Sequence, residues 1–199
     1  SVSAFLLNRS SDLSSYIPEF AARIHQEANR LTDLVRDIIQ LSRLEDGTQS
    51  FPKEKVNIYE MTQDIIRDLI HPAMKKNVHV SLYGGNAEIV GVRHMLYEML
   101  YNLMDNGIKY NIENGKLDIR VWTTLDKIYW QVQDTGIGIL PEDQDRIYER
   151  FYRVDKSHSR KSEDNGGTGL GLSIVKHGAA MHQATINTES QLGKGTTIT

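Results

Sequence analysis

Two glycine-rich segments have the residue types and spacing in this sequence that best suit the binding of an anion. Residues 134–138 directly follow a predicted strand, and residues 166–171 directly precede a predicted helix. Small residues let backbone N–H groups approach a phosphate, and a helix N-terminus adds a partial positive charge. We therefore predict a phosphate site at residues 167–172. A flexible loop that merely begins a helix is the alternative.

Familiar phosphate motifs and a protease motif do not explain these segments. The sequence lacks G-x-x-x-x-G-K-[ST], and the run Gly167, Gly169, Gly171 does not form G-x-G-x-x-G, since residue 172 is leucine. The single Asp-Thr-Gly triplet, which begins at Asp134, cannot by itself supply the two carboxylates of an aspartic protease. A carboxylate at a strand end can instead accept a hydrogen bond from an exocyclic amine, which favours adenine over guanine. An aspartate that only shapes a turn is the alternative.

A third cluster consists of polar residues four positions apart in a predicted helix. Glu98, Asn102 and Asn106 therefore share one helix face, and Lys109 and Tyr110 follow at its end. Amide oxygens are hard ligands that can hold Mg²⁺ together with phosphate oxygens, and a lysine can neutralise phosphate charge. We predict these roles if a nucleotide lies between the two glycine-rich segments. An ordinary solvated helix face is the alternative.

The composition limits the classes of protein to which these clusters can belong. The chain has 199 residues, of which 39% are hydrophobic, and its 23 basic and 26 acidic side chains give a formal net charge of −3. This balance offers no field that would hold nucleic acid or an anionic membrane. The sequence has no cysteine, which excludes disulfide frameworks and thiolate zinc sites. No apolar run approaches the ~20 residues of a membrane span.

Hydrophobic periodicity predicts the elements that must position the clusters. Apolar residues recur every seven positions through residues 16–45, which predicts a long amphipathic helix whose partner helix comes from a second copy of the protein. A polar linker is predicted to follow it. The later pattern predicts helices at residues 58–74, 92–110, 142–152 and 170–181, strands at 78–82, 117–123, 127–133, 184–188 and 196–199, and a mobile polar loop at 155–166. Helices and strands mixed in this order indicate an α/β protein with a two-layer α/β sandwich.

The clusters resemble, in their order and spacing, the catalytic core of bacterial sensor histidine kinases. Residues 98–110 are similar to the N-box of that family, and residues 134–139 to its first glycine box. Residues 147–155 are similar to the F-box, and residues 167–173 to the second glycine box. Four boxes in order are specific, and the resemblance covers nearly the whole chain. It implies a two-layer α/β sandwich of the Bergerat ATP-binding type, preceded by a helical dimerisation segment.

The resemblance implies that the cofactors are ATP and Mg²⁺, and it assigns residues to each. Asp134 would read adenine, and Asn106 would hold Mg²⁺ with Asn102 nearby. The other residues that would contact the nucleotide are Lys109, Tyr110, Gly136, Gly138, Ile139, Gly167, Thr168, Gly169, Leu170, Gly171 and Leu172.

The implied reaction moves the γ-phosphoryl group of ATP to a histidine and then to an aspartate of a response-regulator receiver domain. The implied catalytic residues are Glu98, Asn102, Lys109 and Arg153. Glu98 would orient or deprotonate the nucleophile, and Arg153 would approach the terminal phosphate. Such transfer needs positioning and charge neutralisation more than covalent chemistry. The alternatives are an ATPase of the same clan that acts as a conformational clamp, and a degenerate nucleotide-binding scaffold.

The sequence departs from the family at the phosphoacceptor. In the family, the acceptor histidine precedes an acidic residue, an aliphatic residue, a base, Ser or Thr, and Pro, and none of the seven histidines has that context. We therefore expect a fragment that begins just after the acceptor and binds ATP without phosphorylating itself. Residues 1–46 would be a partial dimerisation segment that forms a homodimer through residues 16–45. Residues 47–55 would be a linker, and residues 56–199 the catalytic domain.

The resemblance also implies a location. Such kinases are commonly anchored in a membrane, so the expected location is a cytoplasmic domain of a protein held in the bacterial inner or plasma membrane. The fragment itself is expected to contact neither membrane nor nucleic acid.

Overall fold

A computed structural model describes residues 20–25, 27–28, 31–32, 34–35, 39, 51–154 and 168–199. The described residues between 20 and 39 are all helical, within the range predicted for the long amphipathic helix. Four apolar residues of this segment are between 53% and 69% exposed: Phe20, Ile24, Leu31 and Val35. The predicted loop at 155–166 and Gly167 lie outside the described residues. Among the helices of the described ranges, none is long and apolar enough to cross a membrane.

From residue 54 onward the chain alternates helices and strands. In chain order the elements are β1 Glu54–Asn57, α1 Ile58–Asp68, α2 Ile70–Lys75, β2 His79–Gly84, β3 Glu88–Gly91, α3 Arg93–Lys109, β4 Lys116–Thr124, β5 Lys127–Asp134, α4 Pro141–Gln144, a 3₁₀ turn at Arg146–Tyr148, α5 Gly171–Met181, β6 Thr188–Gln191 and β7 Gly195–Ile198.

A five-stranded mixed sheet forms one layer of the domain. Its strand order is β2-β4-β5-β7-β6, in which β2 and β4 are parallel and the other neighbours are antiparallel. Alternate residues of β4, namely Leu117, Ile119 and Val121, are fully buried, as expected for a strand with one face on a core. They share the core with Leu103 and Met104 of α3. Helices packed on one face of a mixed sheet confirm the predicted two-layer α/β sandwich.

Helix α3 is held against α5 at its N-terminal end. Its N-cap, Val92, has no side-chain cap, but the backbone N–H of Val92 donates to Nε2 of His182 at 3.0 Å. The other ring nitrogen of His182 lies 2.8 Å from the carbonyl oxygen of Gly178, so a neutral imidazole joins the two helices. A Cβ at Gly178 would lie 2.5 Å from Sδ of Met99, so glycine here allows the helices to pack closely. These contacts with α5 hold α3 in place, and α3 is the helix that contains Glu98, Asn102 and Asn106.

Three sequence predictions about the elements need correction. The helix predicted at 58–74 breaks at Leu69, because Pro72 has no N–H to continue the ladder. The helix predicted at 142–152 is reduced to α4 and the 3₁₀ turn, and Phe151 then adopts φ +61°. The strand predicted at 184–188 instead runs over Thr188–Gln191. The structure also adds the small antiparallel pair β1–β3, which the sequence did not predict and which begins at Glu54, inside the predicted linker.

Candidate nucleotide-binding site

The polar face predicted from the sequence lies on a single helix, α3. Glu98, Asn102 and Asn106 are all partly buried on it, and Nδ2 of Asn102 donates to the carbonyl oxygen of Glu98 at 2.8 Å. Gly171, the first residue of α5, lies directly against Asn102, since a Cβ at Gly171 would be 2.6 Å from the Oδ1 atom of Asn102. The fold therefore brings the second glycine-rich segment onto the polar face.

Charged and aromatic side chains gather where α3 ends. Lys109 is the last helical residue, and its Nζ lies 5.9 Å from the ring centroid of Tyr110. Burial raises the pKa of Asp105, and the nearby Lys109 opposes this shift. Burial also raises the pKa of Tyr110, and the positive charge of Arg153 opposes it. The charge of Arg153 therefore acts on the side chain that follows this end of the helix. The ammonium group of Lys76 donates to the carbonyl oxygen of Lys109.

The carboxylate of Asp134 stands at the end of β5, where the sequence placed it. Its Oδ1 atom accepts hydrogen bonds from the backbone N–H groups of Gly136, at 2.7 Å, and Thr196, at 3.2 Å. Burial raises the pKa of Asp134, and these two donors oppose the shift. The Oδ2 atom takes part in neither bond. It can accept a hydrogen bond from a ligand amine.

Close main-chain contacts explain why residues 134–138, here called the first glycine loop, need glycine. A Cβ at Gly136 would lie 2.4 Å from the carbonyl oxygen of Tyr110. Gly138 has φ +69°, and a Cβ there would lie 2.0 Å from the carbonyl oxygen of Gln191. Next to the loop, the N–H of Ile139 donates to Oγ of Ser190 at 2.8 Å. The loop is therefore packed against the end of α3 on one side and against β6 on the other.

The described part of the second glycine-rich segment, residues 168–171, is here called the second glycine loop. The N–H of Phe151 donates to the carbonyl oxygen of Gly169 at 2.9 Å, and Gly169 has φ +76°. The N–H of Leu170 donates to Oγ1 of Thr168 at 3.2 Å, and the side chain of Leu170 is fully buried. Leu172 lies in the first turn of α5. The uncapped start of α5 thus faces Asn102, as a phosphate site would require.

Glu98 lies at some distance from the residues predicted to bind Mg²⁺. It precedes Asn106 by two turns, which is about 12 Å along an α-helix. Glu98 instead lines an open cleft of about 430 Å³ together with Pro52, Glu54, Arg93, His94 and Tyr97. The structure therefore brings Asn106, Lys109 and Asp134 towards one site and leaves Glu98 at the far end of the polar face.

The oxygen donors at the site suit a magnesium ion that arrives with phosphate. No group of three or more His, Asp or Glu side chains able to hold a metal occurs within the described ranges. Side chains with oxygen atoms near the C-terminal end of α3 include the amide of Asn106 and the carboxylate of Asp105. Mg²⁺ is commonly held by one or two protein oxygens together with substrate phosphates, and it keeps several waters. The residues fit that arrangement.

The sequence did not single out Asn111, Thr135 or Ser190, although all three hold the site together. Asn111 is 4% exposed and bonds the end of α3 to the start of β4 and to Thr135. Ser190 accepts from the first glycine loop's neighbour Ile139. For Asn111, one signal was available in the sequence. The pair Asn114-Gly115, three residues further on, is typical of a tight turn and indicates that Asn111 lies close to a chain reversal.

The family to which this two-layer α/β domain belongs is shown by its sequence. The family model described as "Histidine kinase-, DNA gyrase B-, and HSP90-like ATPase" matches residues 91–199, which is more than half of the chain. The chain therefore belongs to this ATPase family. Membership implies that it binds ATP.

Curated relatives are sensor histidine kinases. Sensor-like histidine kinase SenX3 of Mycobacterium tuberculosis is 38% identical over 196 residues, which cover 96% of this chain and 46% of that protein. Sensor histidine kinase RppB of Synechocystis is 35% identical and covers 94% of this chain and 41% of that protein. Phosphate regulon sensor protein PhoR of Pseudomonas aeruginosa is 33% identical over 98% of this chain and 43% of that protein. The chain thus spans less than half the length of these relatives.

Solved structures support the fold. Full-length ShkA in complex with AMPPNP aligns with a TM-score of 0.76 at 22% identity, over 91% of this chain and 37% of that chain. The mycobacterial sensor histidine kinase MprB aligns with a TM-score of 0.62 at 22% identity, over 73% of this chain and 93% of that chain.

Proposed function

We propose that this chain is the ATP-binding catalytic part of a sensor histidine kinase. It would bind Mg·ATP, transfer the γ-phosphoryl group to a histidine on a dimerisation hairpin, release ADP and serve a response-regulator receiver domain in two-component signalling. The observation that carries the proposal is the pairing of a partly buried carboxylate at Asp134 with the amide and lysine groups of α3, in a chain of this ATPase family. The carboxylate suits adenine, and the amide and lysine groups suit phosphates and Mg²⁺.

Each end of the site has a defined task in this proposal. Asp134 accepts a hydrogen bond from the adenine amine, and the loop of Gly136, Gly138 and Ile139 shapes the base pocket. Lys109 and Tyr110 contact the phosphates from the end of α3. The N–H groups around the start of α5 would contact them from the other side. The residues assigned to this contact are Thr168, Gly169, Leu170, Gly171 and Leu172, together with Gly167, which lies outside the described residues.

The metal would be held by Asn106, with Asn102 nearby, and it would neutralise charge that develops on the transferred phosphoryl group. Arg153 would approach the terminal phosphate, where its charge adds to that of Lys109. Glu98 would act at the acceptor side, because its cleft opens beside the start of α3. An imidazole is already a nucleophile when neutral, so orientation is enough.

The acceptor histidine and the partner surfaces are also part of the proposal. No histidine of this chain has the acceptor context, so the acceptor would come from outside the sequence given. The exposed apolar side chains of the N-terminal helical residues support a homodimer through residues 16–45, because such a stripe needs a partner helix. The domain would work in the cytoplasm, on a parent protein anchored in the bacterial membrane.

The test follows labelled γ-phosphate in a chain extended upstream to include an acceptor histidine. Asn106→Ala should abolish transfer, because the metal then loses its protein ligand. Asp134→Ala should weaken ATP binding in the 199-residue chain. Lys127→Ala, on an exposed residue at the start of β5, serves as the matched control and should change neither. If Asn106→Ala and Asp134→Ala behave like Lys127→Ala, the site assignment is wrong.

The family model favours one second candidate function, because it also covers gyrase-type and HSP90-type ATPases. In that case ATP hydrolysis would drive a conformational clamp, and the phosphoryl group would pass to water. Release of inorganic phosphate without label on any histidine of the extended chain would support the clamp over the kinase.

A further inference from the structure

Asn111 is a buried amide whose hydrogen-bonding capacity is fully used. It is 4% exposed. Its Nδ2 donates to the carbonyl oxygens of Gly107 and Lys116, both at 2.9 Å. Its Oδ1 accepts from the N–H of Ile112 at 3.0 Å and from the hydroxyl of Thr135 at 3.1 Å. One side chain therefore connects the last turn of α3, the start of β4 and the first glycine loop.

Thr135 extends this connection into the glycine loop that carries Asp134. Its Oγ1 donates to Asn111 and accepts from the N–H of Lys116 at 2.9 Å, and its own N–H donates to the carbonyl oxygen of Lys116 at 3.2 Å. The N–H of Ile137 donates to the carbonyl oxygen of Tyr110 at 3.1 Å. The residues just beyond α3 are thus bonded to both ends of the loop.

Only an amide satisfies these four bonds. A carboxylate at position 111 would place a negative oxygen against the carbonyl oxygens of Gly107 and Lys116, and both would lose the hydrogen bond from the amide. Removing one partner of a buried hydrogen bond carries the full desolvation penalty of the group left behind. Bonds in such a network also strengthen one another, so a single loss affects the whole connection.

We propose that Asn111, acting through Thr135, is a positioning residue that sets the distance between the two halves of the nucleotide site. One half is the base end around Asp134, and the other is the phosphate end around Asn106 and Lys109. The inference rests on the proposed function. Neither Asn111 nor Thr135 needs to touch the nucleotide, because they join the backbone segments that carry the groups that do.

A ligand that spans both halves depends on this distance, whereas a ligand that occupies one half does not. ATP must reach Asp134 with its base and α3 with its phosphates at the same time. Adenosine reaches the base end alone. A displacement of one half relative to the other therefore weakens the ligand that must meet both halves more than the ligand that meets one. A change in the ratio of the two affinities therefore separates positioning from a general loss of folding stability.

The experiment compares Thr135→Val with Thr135→Ser in the 199-residue chain. Valine has nearly the shape of threonine but lacks the hydroxyl, whereas serine keeps it. The dissociation constants of Mg·ATP and of adenosine are measured by NMR titration, and folding is checked by circular dichroism. We expect Thr135→Val to weaken ATP binding at least about tenfold and adenosine binding less than about twofold, and Thr135→Ser to restore the wild-type ratio. Asn111→Asp should shift the ratio in the same direction.

The outcomes separate this inference from the proposed function. If the unaltered chain does not bind Mg·ATP, the proposed function fails. If it binds, but folded Thr135→Val weakens ATP and adenosine equally or not at all, the positioning role of Asn111 is overturned. Should Asn111→Asp fail to fold, the threonine pair decides alone. A shifted ratio with valine that serine does not restore also counts against the inference, since shape and not the hydroxyl would then be responsible.

Discussion

Among the described residues, the first glycine loop bonds to parts of the chain that are distant in sequence, whereas the bonds described for the second glycine loop run within the loop and to Phe151. Asp134 accepts from Thr196, and Gly138 packs on Gln191. In the second loop, Leu170 donates to Thr168 two residues away, and its described main-chain bond to another segment comes from Phe151. The first glycine loop is thus held by the closure of the sheet, while the second glycine loop is formed by the local start of a helix.

This difference indicates that the two ends tolerate change unequally. A larger side chain placed between distant segments disturbs all of them, because packed interiors transmit strain. A residue in a locally bonded loop disturbs fewer contacts. The same substitution, glycine to alanine, can therefore measure how firmly each loop is held.

The largest effect is expected for Gly138→Ala in the first glycine loop. The new Cβ would meet the carbonyl oxygen of Gln191 at 2.0 Å, and φ +69° adds backbone strain. Together these should lower the free energy of unfolding by about 3 kcal/mol or more, with loss of ATP binding. Denaturant unfolding and ATP titration measure both. Gly85→Ala is the control, because a Cβ there meets nothing within 4 Å and should cost little.

A smaller effect is expected for Gly169→Ala in the second glycine loop. The residue has φ +76°, and the new Cβ would meet the backbone of Phe151 at 2.9 Å, so the main chain must move, but by less than the 2.0 Å contact at Gly138 demands. We expect a loss of about 2 kcal/mol in the free energy of unfolding. The comparison between the loops fails if denaturant unfolding gives Gly169→Ala the same loss as Gly138→Ala, or a greater one.

Gly193→Ala isolates the contribution of backbone strain. Gly193 has φ +77° but open space around its Cβ position, and its N–H donates to the carbonyl oxygen of Ile137 at 2.7 Å. We expect a loss of about 1 kcal/mol in thermal or denaturant unfolding, with the turn otherwise intact. A loss as large as that of Gly138→Ala would mean that contact with Gln191 is not what makes Gly138 costly to replace.

The smallest effect is expected from pH at Asp134. Since burial raises its pKa, this carboxylate should take up a proton at a higher pH than an ordinary aspartate and then lose its ability to accept the adenine amine. ATP affinity should therefore fall on acidification, before ordinary carboxylates titrate. The effect on stability has the opposite sign: the folded state binds the proton more tightly than the unfolded state, so the contribution of Asp134 to the free energy of unfolding rises as pH falls. Asp134→Asn should remove both trends from ATP titrations and denaturant unfolding measured across acidic pH.

The sequence predicted the helices and strands that are marked by a regular helical period or by regular alternation. Strands were predicted at 117–123 and 127–133, and the structure has β4 and β5 there, paired as neighbours in the sheet. The periodicity of α3 predicted its length to within one residue at each end. By contrast, β1 pairs with β3, so that Glu54 lies opposite Gly91, which is distant in sequence. Strands of four residues carry too little periodicity to reveal such a partner.

The candidate site residues that the sequence indicated are those whose own side-chain types suggest chemistry. Asp134, Asn106 and Lys109 stood out from residue type and spacing, and the structure places them at the ends of β5 and α3. The contacts that hold them did not stand out, because Asn111 meets Thr135 and Asp134 meets Thr196 only after the sheet has closed. Such pairs are set by tertiary packing, which local propensity does not encode.

Strand β7 lies in the interior of the sheet, between β5 and β6, and this has a consequence for biosynthesis. Thr196 of β7 donates to Asp134, although the two residues are 62 positions apart in the chain. A nascent chain that leaves the ribosome in sequence order exposes β5 as an unpaired edge until β7 emerges, and such edges invite aggregation. An incomplete nascent chain that stops before β7 would carry every residue of the polar face and yet lack Thr196, one of the two backbone donors to Asp134.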